Sequence, residues 1–284
     1  MARYREIRKR ILGIKKTQKI TRAMKLVSAA KFSRAQSAIQ AARPYAQKLA
    51  QVLASVASGV DADAHPLLTL RPAVRKVDVV VFTSDRGLCG AYNTNIVKYT
   101  ERMIAKRRPE LESVSIVSVG RKGADQLRAR RVAPIERRWS GISRVEASNA
   151  TEIAQYVTQR YLSGAADEVV LVYSEFVSAL SQRPGHQVVL PLRPPAADGG
   201  AVYTIEPDPE QLLGVLAPRA VEFAIFRALL ENQAGEHGAR MTAMESATSN
   251  TTELISSYTI DFNKARQAAI TAELVEIVSG AEAL

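Results

Sequence analysis

The last 66 residues constrain the fold more than any other segment, because no proline follows Pro218. Within them, ten positions spaced alternately by three and four residues carry mostly apolar, small or hydroxyl side chains. They are Met241, Met244, Thr248, Thr251, Ile255, Tyr258, Phe262, Ala265, Ala269 and Ala272. Such alternation over four heptads predicts a coiled-coil helix with close packing. At about 1.5 Å per residue, this helix approaches ~100 Å, which is longer than a compact domain of this size.

A second long helix is predicted at the N-terminal end. Residues 2–43 contain no proline and one glycine, Gly13, in a stretch dominated by Lys, Arg, Ala, Gln and Ile, a composition that favours helix. Its apolar residues recur every three or four positions, at Ile7, Ile11, Ile14, Ile20, Met24, Val27, Phe32, Ala35, Ile39, Ala42, Ala46, Leu49, Leu53 and Val56. The spacing predicts a buried stripe that is broken twice in register. Breaks of this kind bend a coiled coil.

Between the two helices the pattern changes to short apolar runs. They predict buried strands at residues 77–85, 113–120, 168–176 and 186–192. Helix-like segments separate the first three of these strands, at about residues 91–107, 121–131 and 150–163. This alternation predicts a small sheet of mainly parallel strands with helical crossovers. Proline and glycine mark linkers at residues 58–74 and 194–200.

The net charge of +11 is distributed unevenly along the chain. Residues 1–48 contain fourteen Lys or Arg and a single acid, Glu6, whereas residues 49–218 carry a net +2 and residues 219–284 a net −4. A basic helix can bind the phosphates of a nucleic acid, and it can equally face an acidic protein surface. An ordinary solvated face is the third interpretation.

Signals for catalysis are weak. The segment SDRGLCG at residues 84–90 lies between a predicted strand and a helix, where α/β folds place phosphate loops. It lacks both the GxGxxG spacing and the Gly-Lys-Ser/Thr ending of a Walker loop, which favours a tight turn. The single cysteine, Cys89, excludes an internal disulfide, and His65, His186 and His237 show no spacing typical of metal ligands. No pair of carboxylates stands out as suited to acid/base catalysis.

Three segments resemble the gamma subunits of F-type ATP synthases. They are ILGIKKTQKITRAMKLVSAAKFSRAQ at residues 11–36, SDRGLCGAYN at residues 84–93, and the C-terminal stretch at residues 236–284. The resemblance implies a mixed α/β fold, in which long N- and C-terminal helices form an antiparallel left-handed coiled coil beside a central Rossmann-like α/β domain. It implies domain bounds at residues 1–58, 75–205 and 209–284.

The same resemblance implies a rotor stalk, present as one copy in a proton-transporting rotary ATP synthase. Its partners would be three alpha and three beta subunits, the epsilon subunit and the c-subunit ring, with no nucleic acid. The chain itself would be non-catalytic and would bind no cofactor or metal, since ATP, ADP and Mg belong to the beta subunits. Membrane association would be indirect, through the c ring, at the cytoplasmic face of a bacterial membrane.

Individual contact residues are also implied by the resemblance. Seven match the interface with the catalytic head, namely Arg22, Met24, Lys25, Arg240, Arg266, Gln267 and Thr271. Four match the foot that faces the c ring and epsilon, namely Arg86, Tyr203, Glu206 and Asp208. Residues 274–284 match a tip held in an apolar sleeve. Two alternatives are a nucleic-acid-binding coiled-coil protein acting through residues 3–48 and a nucleotide-binding enzyme built on the central domain.

Overall fold

The computed structural model describes residues 2–61, 65–176, 178, 181–194 and 208–282. Its helices are α1 Ala2–Ser58, α2 Tyr92–Arg107, α3 Arg121–Ala129, α4 Ala147–Leu162 and α5 Pro209–Glu282, with a short 3₁₀ helix at Arg108–Glu110. Its strands are β1 Lys76–Phe82, β2 Ser113–Val119, β3 Ile135–Trp139, β4 Glu168–Phe176 and β5 Gln182–Leu190. The chain divides into two compact units. The helix-pair unit comprises Met1–Ser28 and Arg240–Leu284, and the sheet unit comprises Ala29–Ala239.

The sheet has the strand order β3-β2-β1-β4-β5. The first four strands are parallel to one another, and β5 is antiparallel to β4. The predicted mainly parallel sheet with helical crossovers is therefore confirmed. β4 has the predicted bounds, whereas β5 begins four residues before the predicted residue 186. β3 was not predicted, because its sequence IERRW is charged at three central positions that lie exposed at the edge of the sheet.

The core of the sheet unit forms on both faces of β1, since alternate side chains of a strand point to opposite faces. Val80 and Phe82 pack with α4 and α5 in one cluster. Val79 and Val81 pack with α2 and α3 in the other. Leu67, which lies in the predicted linker at residues 58–74, is 1% exposed and belongs to the first cluster. This part of the predicted linker is therefore core.

Two glycines let α3 approach the end of β1 closely. Gly120 has a φ of 99°, and a Cβ there would overlap the backbone carbonyl of Thr83. At Gly123 a Cβ would overlap the side chain of the same threonine, whose hydroxyl accepts a hydrogen bond from the Gly123 N–H at 3.0 Å. This packing fixes the loop that follows β1.

In the helix-pair unit, α1 and α5 run antiparallel. Tyr4 packs near Phe262 with ring centroids 6.2 Å apart, and Gln18 donates a hydrogen bond to Thr252 at 2.7 Å. Of the ten predicted seam positions on α5, Met244 is buried, eight are half-buried, and only Ala272 is exposed. The mixed α/β fold with long terminal helices is confirmed. The left-handed supercoil and the three domain bounds stay predictions.

The predicted breaks in the α1 stripe are wrong. The less exposed positions continue in an unbroken alternation of three and four residues through Gln18, Thr21, Lys25 and Ser28. Ile20, which had been assigned to the stripe, is 60% exposed. Polar residues occupy the seam because they bond across it, as Thr21 does with Thr248 of α5 at 2.8 Å. A bend inferred from breaks in register therefore has no basis.

Candidate functional site

Large apolar side chains are exposed mainly in the helix-pair unit. Among the described residues, eleven of the sixteen exposed large hydrophobic side chains lie there, although this unit is much the smaller of the two. They are Leu12, Ile20, Leu26, Val27, Leu254, Ile260, Ile270, Leu274, Val275, Ile277 and Val278. Extended apolar surface of this kind marks protein or membrane contacts.

Unpaired cations flank the exposed apolar residues of α1. Within the part of the chain that the structure describes, no carboxylate lies within ion-pair distance of four exposed cations, Lys15, Lys16, Lys19 and Arg22. This face therefore combines long-range attraction for acidic groups with apolar area that a partner can bury. We call residues 12–27 of α1 the cationic–apolar face.

The predicted head contacts differ in accessibility. Four of them are exposed, namely Arg22, Arg266, Gln267 and Thr271. Met24 is half-buried, and Lys25 lies in the seam, where it forms an ion pair with Glu245 of α5. Arg240 is 7% exposed. Assignment of these residues to an interface stays a prediction.

The predicted foot residues are only partly described. Arg86 is exposed, and its backbone carbonyl accepts a hydrogen bond from the Ser84 hydroxyl at 2.6 Å. Asp208 is half-buried immediately before α5. Tyr203 and Glu206 lie outside the described residues. Their contact with a ring of other subunits stays a prediction.

The SDRGLCG loop engages its own polar groups. Asp85 accepts hydrogen bonds from the backbone N–H of Arg121 at 2.9 Å and of Gly141 at 2.6 Å. Arg121 is the first residue of α3, so the carboxylate lies at the N-terminus of that helix, where the helix dipole favours negative charge. Asn93 Oδ1 accepts from the backbone N–H of Ser84 at 2.9 Å, and Asn93 Nδ2 donates to the Ser84 hydroxyl oxygen at 2.7 Å. The loop is a closed structural turn.

Buried polar contacts join helix α5 to the carboxyl end of strand β1 and to the start of α2. Tyr92 Oη lies 3.0 Å from the carbonyl oxygen and 2.9 Å from Oδ1 of Asn232, whose Nδ2 donates to the Thr83 carbonyl at 3.2 Å. A Cβ at Gly235 would come within 2.9 Å of the Tyr92 ring. Burial raises the pKa of Tyr92 well above its usual range, which keeps the phenol a hydrogen-bond donor. We call Thr83, Tyr92, Asn232 and Gly235 the α5 clamp.

Sequence reasoning missed the α5 clamp. Tyr92 and Asn232 are 140 residues apart, and no spacing rule connects them. The available signals were a glycine and an asparagine inside a helical segment, both of which are unusual in helix interiors without a packing reason.

Two ion pairs inside the sheet unit are structural. Asp78 of β1 is 2% exposed and accepts from Arg160 Nε at 2.5 Å and Nη2 at 2.9 Å. This hydrogen bonding raises the pKa of Arg160. Glu168 of β4 pairs with Arg107 at 2.5 Å. Each buried carboxylate is neutralised by its own guanidinium, as buried charges require.

The described residues contain neither a metal-binding cluster nor a membrane-spanning helix. No group of three or more His, Cys, Asp or Glu side chains in the described ranges is placed to hold a metal ion. None of the helices that the structure describes carries an apolar stretch long enough to cross a membrane.

Comparison with known proteins identifies relatives over the whole chain. A family model described as ATP synthase matches residues 3–284. The ATP synthase gamma chain of Anaeromyxobacter sp. (strain Fw109-5) is 50% identical over 100% of both chains. That of Trichlorobacter lovleyi is 45% identical over 100% of this chain and 99% of its own.

Solved structures agree with this fold. The central stalk/c-ring structure of the Tetrahymena thermophila mitochondrial ATP synthase matches with a TM-score of 0.61 and 27% identity, covering 80% of this chain and 99% of that one. A rotor structure of the Euglena gracilis mitochondrial ATP synthase matches with a TM-score of 0.66 and 24% identity, covering 94% and 98% of the two chains.

Proposed function

Because the chain belongs to the ATP synthase gamma chain family, we propose that it is the central rotor stalk of an F-type ATP synthase. It couples ion flow through a membrane ring to ATP synthesis or hydrolysis in a head of three alpha and three beta subunits. The observation that carries this proposal is the concentration of exposed apolar side chains and unpaired cations in the helix-pair unit. Such a surface fits a chain that works inside a ring of partners.

Coupling requires that the rotor contact the three beta subunits unequally. A conformational equilibrium shifts only when a ligand interacts differently with its two states. The cationic–apolar face of α1 differs in charge from α5, whose residues 241–282 contain two basic and six acidic residues. Rotation of the helix-pair unit would therefore present a different surface to each beta subunit in turn.

The proposed contacts with the alpha and beta subunits include four exposed residues. Arg22 is placed to attract acidic loops of beta subunits, while Arg266, Gln267 and Thr271 lie further along α5 as exposed polar contacts. Met24, Lys25 and Arg240 complete the proposed interface. The described part of residues 274–284 exposes Leu274, Val275, Ile277 and Val278 on one side of the helix, with Glu276 and Ser279 on the other. An exposed apolar face of this kind marks a contact surface, which supports an apolar sleeve for the tip.

The foot of the stalk would contact the membrane ring, and the chain would carry no active site of its own. Arg86, Tyr203, Glu206 and Asp208 would meet the c ring and epsilon, holding a single copy of the chain peripherally at the cytoplasmic face of a bacterial membrane. The chain would be non-catalytic and bind no cofactor. The support for this is that polar groups of the SDRGLCG loop are engaged internally, by Asn93 at the Ser84 backbone N–H and by Asp85 at the Gly141 backbone N–H. Adding ATP or NAD should leave the thermal midpoint of the isolated chain unchanged, since ligand binding to the native state would raise it.

Reconstitution tests the function directly. Alpha and beta subunits are combined with and without the chain, and ATPase activity and ATP-driven proton pumping are measured. We expect the chain to copurify with the head and pumping to require it. A chain truncated after residue 273 should still assemble and rotate with weakened coupling. The control variant is Arg183→Glu, at an exposed residue of β5, which should leave both activities unchanged.

Two results would contradict the proposal. The first is failure of the full-length chain to copurify with alpha and beta subunits. The second is binding of DNA or RNA with affinity that falls steeply with salt, which would favour the nucleic-acid alternative. Undiminished coupling after truncation would remove the tip from the mechanism and leave the stalk assignment intact.

A further inference from the structure

The sheet unit contains a second concentration of positive charge. It is hidden in the net charge of +2 for residues 49–218, because acidic residues elsewhere in that range offset it. Residues 121–144 contain eight basic and two acidic side chains. The basic residues are Arg121, Lys122, Arg128, Arg130, Arg131, Arg137, Arg138 and Arg144. They lie on α3, on β3 and in the segments that follow these two elements.

Two of these eight cations form an ion pair with a described carboxylate, and the other six do not. Arg130 pairs with Glu101 at 2.8 Å, and Arg137 pairs with Glu152 at 3.4 Å. Within the described ranges, no carboxylate lies within ion-pair distance of four exposed arginines, Arg128, Arg131, Arg138 and Arg144. Like charges gathered on one surface repel one another, and an anionic partner relieves that repulsion.

Two of the cations, Arg137 and Arg138, lie on β3, the strand at one edge of the sheet. β3 ends the strand order, and no described strand pairs with its outer side. Its central residues 136–138 are exposed. The dipole of α3 favours cations in its last turn and accounts for Arg128 and its neighbours, but it does not account for Arg138 on the strand or for Arg144 beyond it.

A stacked aromatic group lies at the end of the same strand. Trp139, the single tryptophan of the chain, donates its indole N–H to Glu152 at 2.9 Å. The Arg137 guanidinium carbon lies 4.7 Å from the Trp139 ring centroid and 4.9 Å from that of Tyr156. Tryptophan, tyrosine and arginine are the side chains enriched at the energetic centres of protein interfaces.

We propose that the outer edge of β3, with the arginines of residues 128–144, binds an acidic extended segment of a partner subunit, which adds a strand to the sheet. The proposal rests on the rotor-stalk function, because it requires an assembly that supplies the partner. An edge strand offers backbone N–H donors as well as carbonyl acceptors. A polypeptide strand satisfies both, whereas a phosphate backbone or a lipid headgroup satisfies only the donors.

Amide hydrogen exchange of residues 135–139 tests the added strand. Exchange is compared between the isolated chain and the detergent-solubilised ATP synthase, and again between the isolated chain and the chain with anionic lipid vesicles. We expect exchange to slow by about tenfold or more in the enzyme. Unchanged exchange in the enzyme overturns the proposal. Slowing by vesicles with no slowing in the enzyme also overturns it and assigns the surface to lipid.

Charge reversal tests the arginines. We expect the double variant Arg131→Glu/Arg138→Glu to remove the slowed exchange at β3 and to lower the salt concentration at which the complex dissociates. Arg183→Glu on β5, at the opposite edge of the sheet, is the matched control and should change neither quantity. Equal behaviour of the two variants overturns the role of the arginines. Copurification with alpha and beta subunits is scored separately, so that loss of the stalk function is distinguished from loss of this contact.

Discussion

In the sheet unit, Val80, Leu171 and Ile225 are fully buried, whereas in the helix-pair unit Leu26 and Val27 are each more than half exposed. The sheet unit therefore satisfies its apolar side chains internally, on both faces of β1. The helix-pair unit leaves apolar area for other molecules to cover. The difference teaches that one part of this chain is built to be stable alone and the other to be completed by partners.

The two units also differ in what holds their elements together. The core of the sheet unit is aliphatic and aromatic, and its buried charges are paired. The seam of the helix-pair unit is small and polar at Thr21, Ser28 and Thr248. Apolar burial of about 25 cal/mol per Å² stabilises the first strongly, whereas a hydroxyl hydrogen bond adds only ~1 kcal/mol net to the second.

The largest expected contrast comes from one substitution made in both units. Leu171→Ala opens a cavity in the sheet core and should lower the free energy of unfolding by about 2–5 kcal/mol. Leu26→Ala removes a side chain that is 64% exposed, so unfolding should change by less than ~0.5 kcal/mol. Urea unfolding followed by Trp139 fluorescence measures the first value, and helical circular dichroism measures the second.

In the assembled enzyme, Leu26→Ala should have a large effect, although its effect on the unfolding of the isolated chain is small. If partners cover the cationic–apolar face, Leu26→Ala weakens reconstitution with alpha and beta subunits despite its near-neutral effect on the isolated chain. A Leu26→Ala chain that unfolds much more easily by itself would show that the outward position is already packed, and the contrast between the units would fail.

The next largest effect concerns a buried and an exposed ion pair. Asp78→Asn leaves the Arg160 charge without its carboxylate, and we expect a loss of about 2–4 kcal/mol, below the full cost of a completely buried charge because Arg160 is 21% exposed. Glu245→Gln breaks the exposed pair with Lys25 and should cost less than ~1 kcal/mol. Thermal unfolding of both variants measures the difference. Similar losses would mean that the helix-pair seam is more shielded from water than its exposure indicates.

The regular parts of the fold could be predicted because they repeat a pattern. The α5 seam was located from Met244, Tyr258 and Phe262, since large apolar residues at three-and-four spacing mark the packed side. The same rule failed on α1 at Ile20 and Val27. There the apolar residues face outward and polar residues occupy the seam, and a periodicity of hydrophobicity cannot tell a packed side from a partner-binding side.

The candidate site was harder to predict than the fold. β3 lacks an apolar pattern because it lies at the edge of the sheet, where its central residues are charged and exposed to water. The sequence favours a tight turn for the SDRGLCG loop, but the two backbone donors that Asp85 accepts from are 36 and 56 residues away. Contacts of this kind depend on the folded chain and leave no local signal.

A smaller effect separates two glycines of the same helix. A Cβ at Gly235 would press on the Tyr92 ring, and we expect Gly235→Ala to destabilise the sheet unit by about 1–3 kcal/mol through overpacking of the α5 clamp. Nothing lies within 4 Å of a Cβ at Gly214, so Gly214→Ala should stabilise the helix by up to ~1 kcal/mol. Chemical denaturation compares them. If both variants changed the free energy of unfolding in the same direction, the close approach of α5 to the Tyr92 ring would not require glycine at position 235.

The smallest expected effect tests the polar seam itself. Thr21 and Thr248 bond to each other at 2.8 Å, and each hydroxyl also lies near a backbone carbonyl of its own helix, Gln18 and Met244 respectively. Each single substitution to valine keeps the side-chain volume and should cost about 0.5–1 kcal/mol. The double variant should lose less than the sum, because removing both partners leaves no unmatched hydroxyl facing across the seam.

A double-mutant cycle by thermal unfolding gives the coupling energy, which we expect to be ~0.5 kcal/mol or more. A coupling near zero would mean that the backbone carbonyls alone satisfy the two hydroxyls and that the helices are held by packing of small side chains. In that case the seam would differ from the sheet core in the size of its side chains and not in the chemistry of its contacts.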